Sequence, residues 1–320
     1  MRKYILALCG ALALLPAAAN AAPYPTEPVR LIVPFAPGGS VDTVARILGD
    51  ELSKSLGQAI VVENRAGAGG NIGFAAVAGA KPDGYTLLMA SSPLAVNGSL
   101  YDNPGFDATK DFAPISLVAL QPQVLVVNPS LDVTSVQGLI DYAKKNPGKL
   151  NFGSSGPGAS QHLAGELFKR QTGIEMTHIP YRGGGPAMTD LVAGRIQLMF
   201  ETIPSSMGYI KSNQLRPLAV TVTKRSEALP DIPTVDEAGV PGFSVSGWLA
   251  MAAPAGTPDE IVTQLAQAVS KALANPNVRK RLTDLGLEVV GNTPSEFSGF
   301  LTKEIGAYKK LITDANIKIN

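Results

Sequence analysis

One recurring unit constrains this chain most: an apolar run, a glycine turn, then a helix. In its first copy Val29-Arg-Leu-Ile-Val-Pro-Phe35 is the run and Gly38-Gly39 the turn. The helix that follows carries Val44, Ala45, Ile47, Leu48 and Leu52 on one face. Glycine lets the backbone turn without a Cβ clash, and Ser40 or Asp42 is placed to cap the helix. A helix start with unpaired N–H groups beside glycines is a ready anion site. This turn is therefore expected to hold a carboxylate.

The unit repeats along the chain. Ile60–Glu63 reads as a strand ending at Asn64-Arg-Ala-Gly-Ala-Gly-Gly-Asn-Ile-Gly73, with a helix of small residues after it. Pro82-Asp-Gly84 turns into the strand Tyr85–Ala90. Leu117–Val127 is a long extended run broken by Pro122. Helices are predicted over 135–145, 158–171 and 186–193, with strands over 150–154, 176–180, 196–200 and 218–222. An extended segment at 246–253 and helices near 258–274, 276–285 and 294–315 complete the pattern. Repeated βα units argue for an α/β protein with parallel sheets covered by helices. Ligands of such sheets sit at the carboxyl ends of the strands. The glycine-rich turns after 29–35, 59–65, 150–154 and 176–181 would converge there. The extended segments at about 115–127 and 216–223 are candidates for paired hinge strands.

Residues 1–21 read as a secretory leader. Arg2 and Lys3 precede an apolar core from Ile5 to Leu15, and Ala19-Asn20-Ala21 is a small-x-small cleavage site. The one cysteine, Cys9, falls inside it, so the mature chain would have no disulfide or thiolate chemistry. The chain has 27 Lys+Arg against 26 Asp+Glu, near neutrality with or without the leader. That gives no electrostatic footprint for nucleic acid.

The other motifs are weighed against specific chemistries. Gly67-Ala-Gly-Gly-Asn-Ile-Gly73 has Ile72 where the dinucleotide fingerprint needs glycine, and the phosphate-loop lysine is missing. Asn151-Phe-Gly-Ser-Ser-Gly-Pro-Gly-Ala-Ser-Gln-His162 offers the hydroxyls of Ser154, Ser155 and Ser160 at a helix start. A hydrolase would pair Ser154 or Ser155 with His162 or His178, but the Gly-x-Ser-x-Gly elbow is absent. His178-Ile-Pro-Tyr-Arg-Gly-Gly-Gly185 presents Arg182, either a fork for a carboxylate or a surface ion pair. Glu201 accepts from a ligand hydroxyl or amine, pairs with Arg182, or sits on the rim, and Trp248 either lines the cleft or fills the core. Two separated histidines give no zinc spacing; no metal and no cofactor are expected.

At these residues the chain resembles the Bug family, the extracytoplasmic solute receptors of tripartite tricarboxylate transporters. The resemblance runs through Pro34-Phe35, Gly38-Gly39, Asp42, Glu63–Gly70, Pro82–Leu88, Asn151–Ser154, His162-Leu163 and His178–Gly183. Pro230–Val235, Glu237–Gly239 and Pro254–Pro258 extend it over nearly all of the mature chain. It implies a fold like type II periplasmic binding proteins, two α/β domains with a ligand cleft between them. It implies a non-enzymatic periplasmic receptor, a monomer that closes on a small organic carboxylate and delivers it to the transporter's membrane components. A secreted serine hydrolase and a sensor partner are the alternatives. The expected division is 1–21 leader, 22–124 plus 222–320 as one domain, and 125–221 inserted as the second. By motif, one ligand carboxylate would be held by Phe35, Gly38, Gly39, Ser40, Ala66, Gly67, Ser91, Ser92, Ser154, Ser155, Gly158 and Ser160. Its far end would be read by Arg182, Gly183 and Glu201. Ala159 stands where the family often has Ser or Thr, and Glu201 where Asp is common.

Overall fold

The structure, a computed structural model, describes residues 24–181, 183–314 and 317. The expected leader at 1–21 and Arg182 lie outside the described residues. The chain opens with β1 (Val29–Val33), α1 (Ser40–Leu56), β2 (Ile60–Asn64), α2 (Asn71–Ala78), β3 (Thr86–Ser91) and α3 (Pro93–Leu100). Then come β4 (Phe112–Val127), α4 (Val136–Lys145), β5 (Asn151–Ser154), α5 (Ser160–Thr172), β6 (Thr177–Pro180) and α6 (Gly184–Val192). β7 (Leu198–Thr202), α7 (Ile203–Lys211), β8 (Arg216–Val220) and β9 (Ser246–Pro254) follow. The last elements are α8 (Asp259–Ala274), α9 (Pro276–Asp284), β10 (Glu288–Val289) and α10 (Pro294–Asp314).

Two sheets share one strand. β2, β1, β3, β9 and the first part of β4 form one; the last part of β4 with β7, β5 and β6 forms the other. Residues 112–122 of β4 pair with β9, and residues 123–127 pair with β7 and β8. Pro122, expected to break the run, instead marks this handover. It pairs opposite Ser246, and the next residue, Gln123, pairs opposite Thr202. A proline has no N–H to give a ladder, so the change of partner is a place that tolerates it.

Each sheet is covered on both faces, the arrangement that parallel strands require. In the first lobe α1, α8 and α9 bury Leu48, Leu52, Leu265 and Leu282 on one face, and α2, α3 and α10 bury Phe74, Leu94 and Phe297 on the other. In the second lobe α4 and α5 contribute Leu139 and Phe168, while α6 and α7 contribute Leu191 and Ile203. Val235, Val240, Phe243 and Val245 also join the second lobe's core. Leu163 of α5 crosses to pack with Ala95 and Trp248 in the first lobe.

α3, α7 and β10 were not anticipated from the sequence. Both helices are short and carry proline in their first turn, where its missing N–H costs nothing. The cap of α1 also differs from expectation. Gly39 is its N-cap with no side-chain bond, and Ser40 is its first residue. Asp42 reaches back from inside the first turn and accepts from the Gly38 N–H at 2.9 Å.

Candidate functional site

A cavity of about 670 Å³ opens between the lobes, within the size range of small-ligand pockets. The starts of five helices reach its wall. Ser40 belongs to α1, Ser92 and Pro93 to α3, Ser160 and Gln161 to α5, Gly184 and Gly185 to α6, and Pro204 and Ser205 to α7. None of the five has a side-chain cap at its N-cap residue. Away from the cavity α4 and α9 are capped by Ser135 and Asn275, while α2 and α8 begin uncapped as well. Uncapped first turns leave N–H groups and partial positive charge available to an anion.

The first-lobe cradle is held by a buried carboxylate. Arg46 grips Asp42 with two bonds of 2.9 and 3.0 Å, and Asn64 donates to it at 2.9 Å. Arg46 foremost, with the Gly38 N–H and the Asn64 amide, holds the Asp42 carboxyl down at about 2 against the cost of burial. Asp42 is thus spent on shaping the turn at Gly38. On the neighbouring wall the Trp248 N–H donates to Ser92 Oγ at 3.1 Å, and its indole N–H donates to Glu304 at 3.1 Å. Trp248 is both core and wall: it is buried, yet it lines the cavity.

The second-lobe cradle is a set of linked hydroxyls and amides. Ser155 donates to Gln161 Oε1 at 3.0 Å, and Gln123 donates to Ser160 Oγ at 2.6 Å. Because Ser160 accepts from Gln123, its own O–H is free to donate elsewhere. Thr202 donates to Ser205 Oγ at 2.7 Å, which frees the Ser205 hydrogen in the same way. Glu201 is the one ionisable carboxyl on the wall, and no Lys or Arg lines it among the described residues. Burial pushes the Glu201 carboxyl up; the backbone and side chain of Thr202 and the Gln161 amide pull it partly back.

Seven sequence candidates line the cavity: Gly38, Ser40, Ser91, Ser92, Ser155, Ser160 and Glu201. Gly39 and Gly183 lie one step behind, as the N-caps of α1 and α6. Phe35, Ala66 and Gly67 are off the wall. Phe35 packs edge-on against Phe74, and Ala66-Gly67 follow β2, the edge strand, two places from β3. Gly158 serves the lobe contact instead: at φ +75° it leaves room for Leu100, whose Cδ1 would be 2.3 Å from an added Cβ. Unanticipated lining comes from Thr43, Gln121, Gln161, Thr202, Ser205 and Tyr209. The available signals were local: Thr43 is one helical turn past Ser40, and Pro204-Ser205 has the proline of a helix start.

Ser154 faces the core. It is fully buried, and its Oγ lies 2.6 Å from His178 Nε2. That is the spacing of a nucleophile and its base, but the hydroxyl also donates to the Gly156 carbonyl and accepts the Gly156 N–H. Ser154 is not among the residues that line the cavity. His178 stacks on His162 at 3.8 Å between ring centres and 11° between planes. Burial first, then neighbouring charge, pushes His162 down to about 3 and His178 to about 4.

Comparison with known proteins agrees with this geometry. The family model for the tripartite tricarboxylate transporter family receptor, TctC, matches residues 44–317. Protein BugT of Bordetella pertussis is 41% identical over 298 residues, covering 92% of this chain and 91% of BugT. The structure of R. palustris Rpa4515 with adipate superposes with a TM-score of 0.82 at 39% identity, over 92% of this chain and 99% of that one. MatC from Rhodopseudomonas palustris with bound malate gives 0.76 at 33% identity, over 90% and 100%. The periplasmic binding protein BugD gives 0.78 at 37%, over 92% and 99%. The two α/β lobes with a cleft between them are the fold of these periplasmic binding proteins, and the chain belongs to the tripartite tricarboxylate transporter receptor family.

Proposed function

We propose that this protein is a periplasmic receptor that captures a small organic carboxylate between its lobes and hands it to a tripartite tricarboxylate-type transporter without chemical change. The observation that carries the reading is the set of five uncapped helix starts around one hydroxyl-rich cavity. The adipate and malate in the Rpa4515 and MatC structures support a dicarboxylate of about this size. The periplasmic naming of BugD supports the compartment. Helix termini contribute about 0.3–1 kcal/mol each, up to ~2 when partly buried. Several of them with charge-assisted hydrogen bonds suffice for micromolar binding, about −8 kcal/mol. Closure follows because the ligand bridges both lobes and therefore binds the closed state better.

The lobe crossings belong to the same proposal. One is the β4 handover at Pro122–Gln123. We infer the return near Val245–Ser246 in place of the 221–222 expected from the sequence; the packing of Val235, Val240 and Phe243 into the second lobe's core supports this. Val245 still donates to Thr221, so the two crossings lie side by side.

The test is isothermal titration of stripped protein with dicarboxylates of four to six carbons, each beside its neutral diamide. Saturable binding of an acid and none of its diamide is expected. Indifference to every acid tested, or turnover of an ester by the purified protein, would sink the reading.

A further inference from the structure

We propose that the second-lobe end of the cavity requires a hydrogen-bond donor from the ligand, accepted by Glu201, so that a dicarboxylate enters together with one proton. This rests on the receptor reading and deepens it. Glu201 is 3% exposed, and its Oε1 accepts from the Thr202 N–H at 2.7 Å. Its Oε2 is buried and has no hydrogen-bond partner among the described residues. The carboxylate lines the cavity beside Gly184, where an added Cβ would stand 3.2 Å from Oε2. Glycine therefore leaves the approach to that oxygen open.

A second buried acceptor without a partner among the described residues lies on the neighbouring strand, off the cavity wall. Gln123 is one residue before Val124, the partner of Glu201 across β4 and β7. Its amide nitrogen is used on Ser160, while its Oε1 is buried and unpaired. Buried acceptors are nearly always satisfied in folded proteins, and leaving one bare is costly. An ionised ligand carboxylate cannot help, since it is acceptor only. Beside Glu201 it would also set two like charges in a poorly hydrated site. One proton shared between the distal carboxyl and Glu201 resolves both problems. A ligand hydroxyl, ammonium or amide N–H would resolve them without a proton.

Among the described residues the surrounding charges leave this pairing alone. Neither β4 nor β5 carries an ionisable side chain, while α5 carries His162, Glu166, Lys169 and Arg170. His162 accepts from Gly158, Glu166 pairs with Lys169, and Arg170 pairs with Asp314. On α6, Asp190 is taken by Arg195 and Tyr181. On α7, Lys211 is exposed and Tyr209 is a neighbouring phenol on the same wall. None of these contributes to the upward shift of Glu201, which comes from burial.

The experiment is titration calorimetry at pH 7 in two buffers of different ionisation enthalpy. The probes are the four- to six-carbon dicarboxylates, their monoamides and their monomethyl esters. Wild-type protein should take up about one proton per dicarboxylate and none per monoamide. The monoamide should bind about tenfold or more tighter than the matched monoester, the worth of one hydrogen bond to a charged group. Glu201→Gln, which supplies its own N–H, should abolish the proton uptake. Dicarboxylate binding without uptake, uptake that persists in Glu201→Gln, or equal affinity for amide and ester would overturn the subsite and leave the receptor standing. If no acid binds, the receptor reading falls and takes the subsite with it. Should Glu201→Gln fail to fold, the amide–ester comparison on the wild-type chain decides.

Discussion

The stacked histidines make the second lobe acid-labile, because burial pushes both imidazoles well below their usual range. His162 accepts the Gly158 N–H through Nδ1 at 3.1 Å, and His178 holds Ser154 through Nε2. Both rings lie against Phe152, and Lys169 Nζ stands 6.0 Å from the centre of that same ring. Charging either ring means desolvating a cation beside another imidazole and an ammonium. The folded values, about 3 and about 4, lie below the 6.5 of a free imidazole. The unfolded chain therefore binds protons first as pH falls. Stability is intact above about 6.5 and drains away below it until the folded rings themselves titrate.

At pH 5 each unfolded histidine gains about 1.36 kcal/mol for each of about 1.5 pH units, roughly 2 kcal/mol. For His178, the wetter of the two, screening brings that to about 1 kcal/mol. The pair thus accounts for about 3 kcal/mol between pH 7.5 and pH 5. The perturbation is H162N with H178Q, which places an amide atom where each bonding nitrogen stands. Urea unfolding by circular dichroism at both pH values gives the free-energy loss for each protein. Wild type should lose about 3 kcal/mol more than the double variant. Carboxyls such as Glu201 and Glu304, which burial pushes the other way, are common to both profiles and cancel. Parallel losses in the two proteins, or ring titration midpoints near 6.5 in the folded wild type, would refute the reasoning. The consequence for binding is local: His178 holds the Ser154–Gly156 turn that leads into α5, so acid should loosen that cradle first.

Two glycines separate closure from stability. Gly158→Ala would put a Cβ 2.3 Å from Leu100 across the lobe contact. About 1–2 kcal/mol of strain should weaken carboxylate binding by about tenfold in calorimetry, and unchanged affinity would show that the contact is not used in closure. Gly165→Ala acts inside one lobe, with a Cβ 2.2 Å from the buried Phe152 ring. It should lower the unfolding free energy by about 1–3 kcal/mol, and a denaturation midpoint equal to that of wild type would contradict that.

The parts of this molecule that were legible in the sequence are those governed by local rules. β1 and β3 are apolar runs, β5 is a short Asn-Phe-Gly-Ser strand, and the turns at their ends are marked by glycine or serine, so Gly38, Ser91, Ser92 and Ser155 could be found by eye. What the sequence hides is which side of a turn faces the ligand. Ser154 and Ser155 are adjacent and chemically identical, yet one bonds His178 in the core and the other lines the cavity. Side chains alternate along a strand, but the choice of face depends on the partner sheet. Strand order is hidden in the same way. The turn at Ala66-Gly67 is as rich in glycine as the one at Gly38-Gly39, but β2 lies at the sheet edge while β9 and β4 occupy the crossing between lobes. Helices α3 and α7 escaped because each is short: α3 buries a consecutive run, Leu94–Asn97, with no helical stripe, and α7 buries only Ile203 and Ser206 fully. Glu201 was visible as a carboxylate near a cleft. That its Oε2 is buried with no partner among the described residues is a matter of packing. This is why the ligand's class could be approached from the sequence, while the polarity demanded of its far end follows only from the fold.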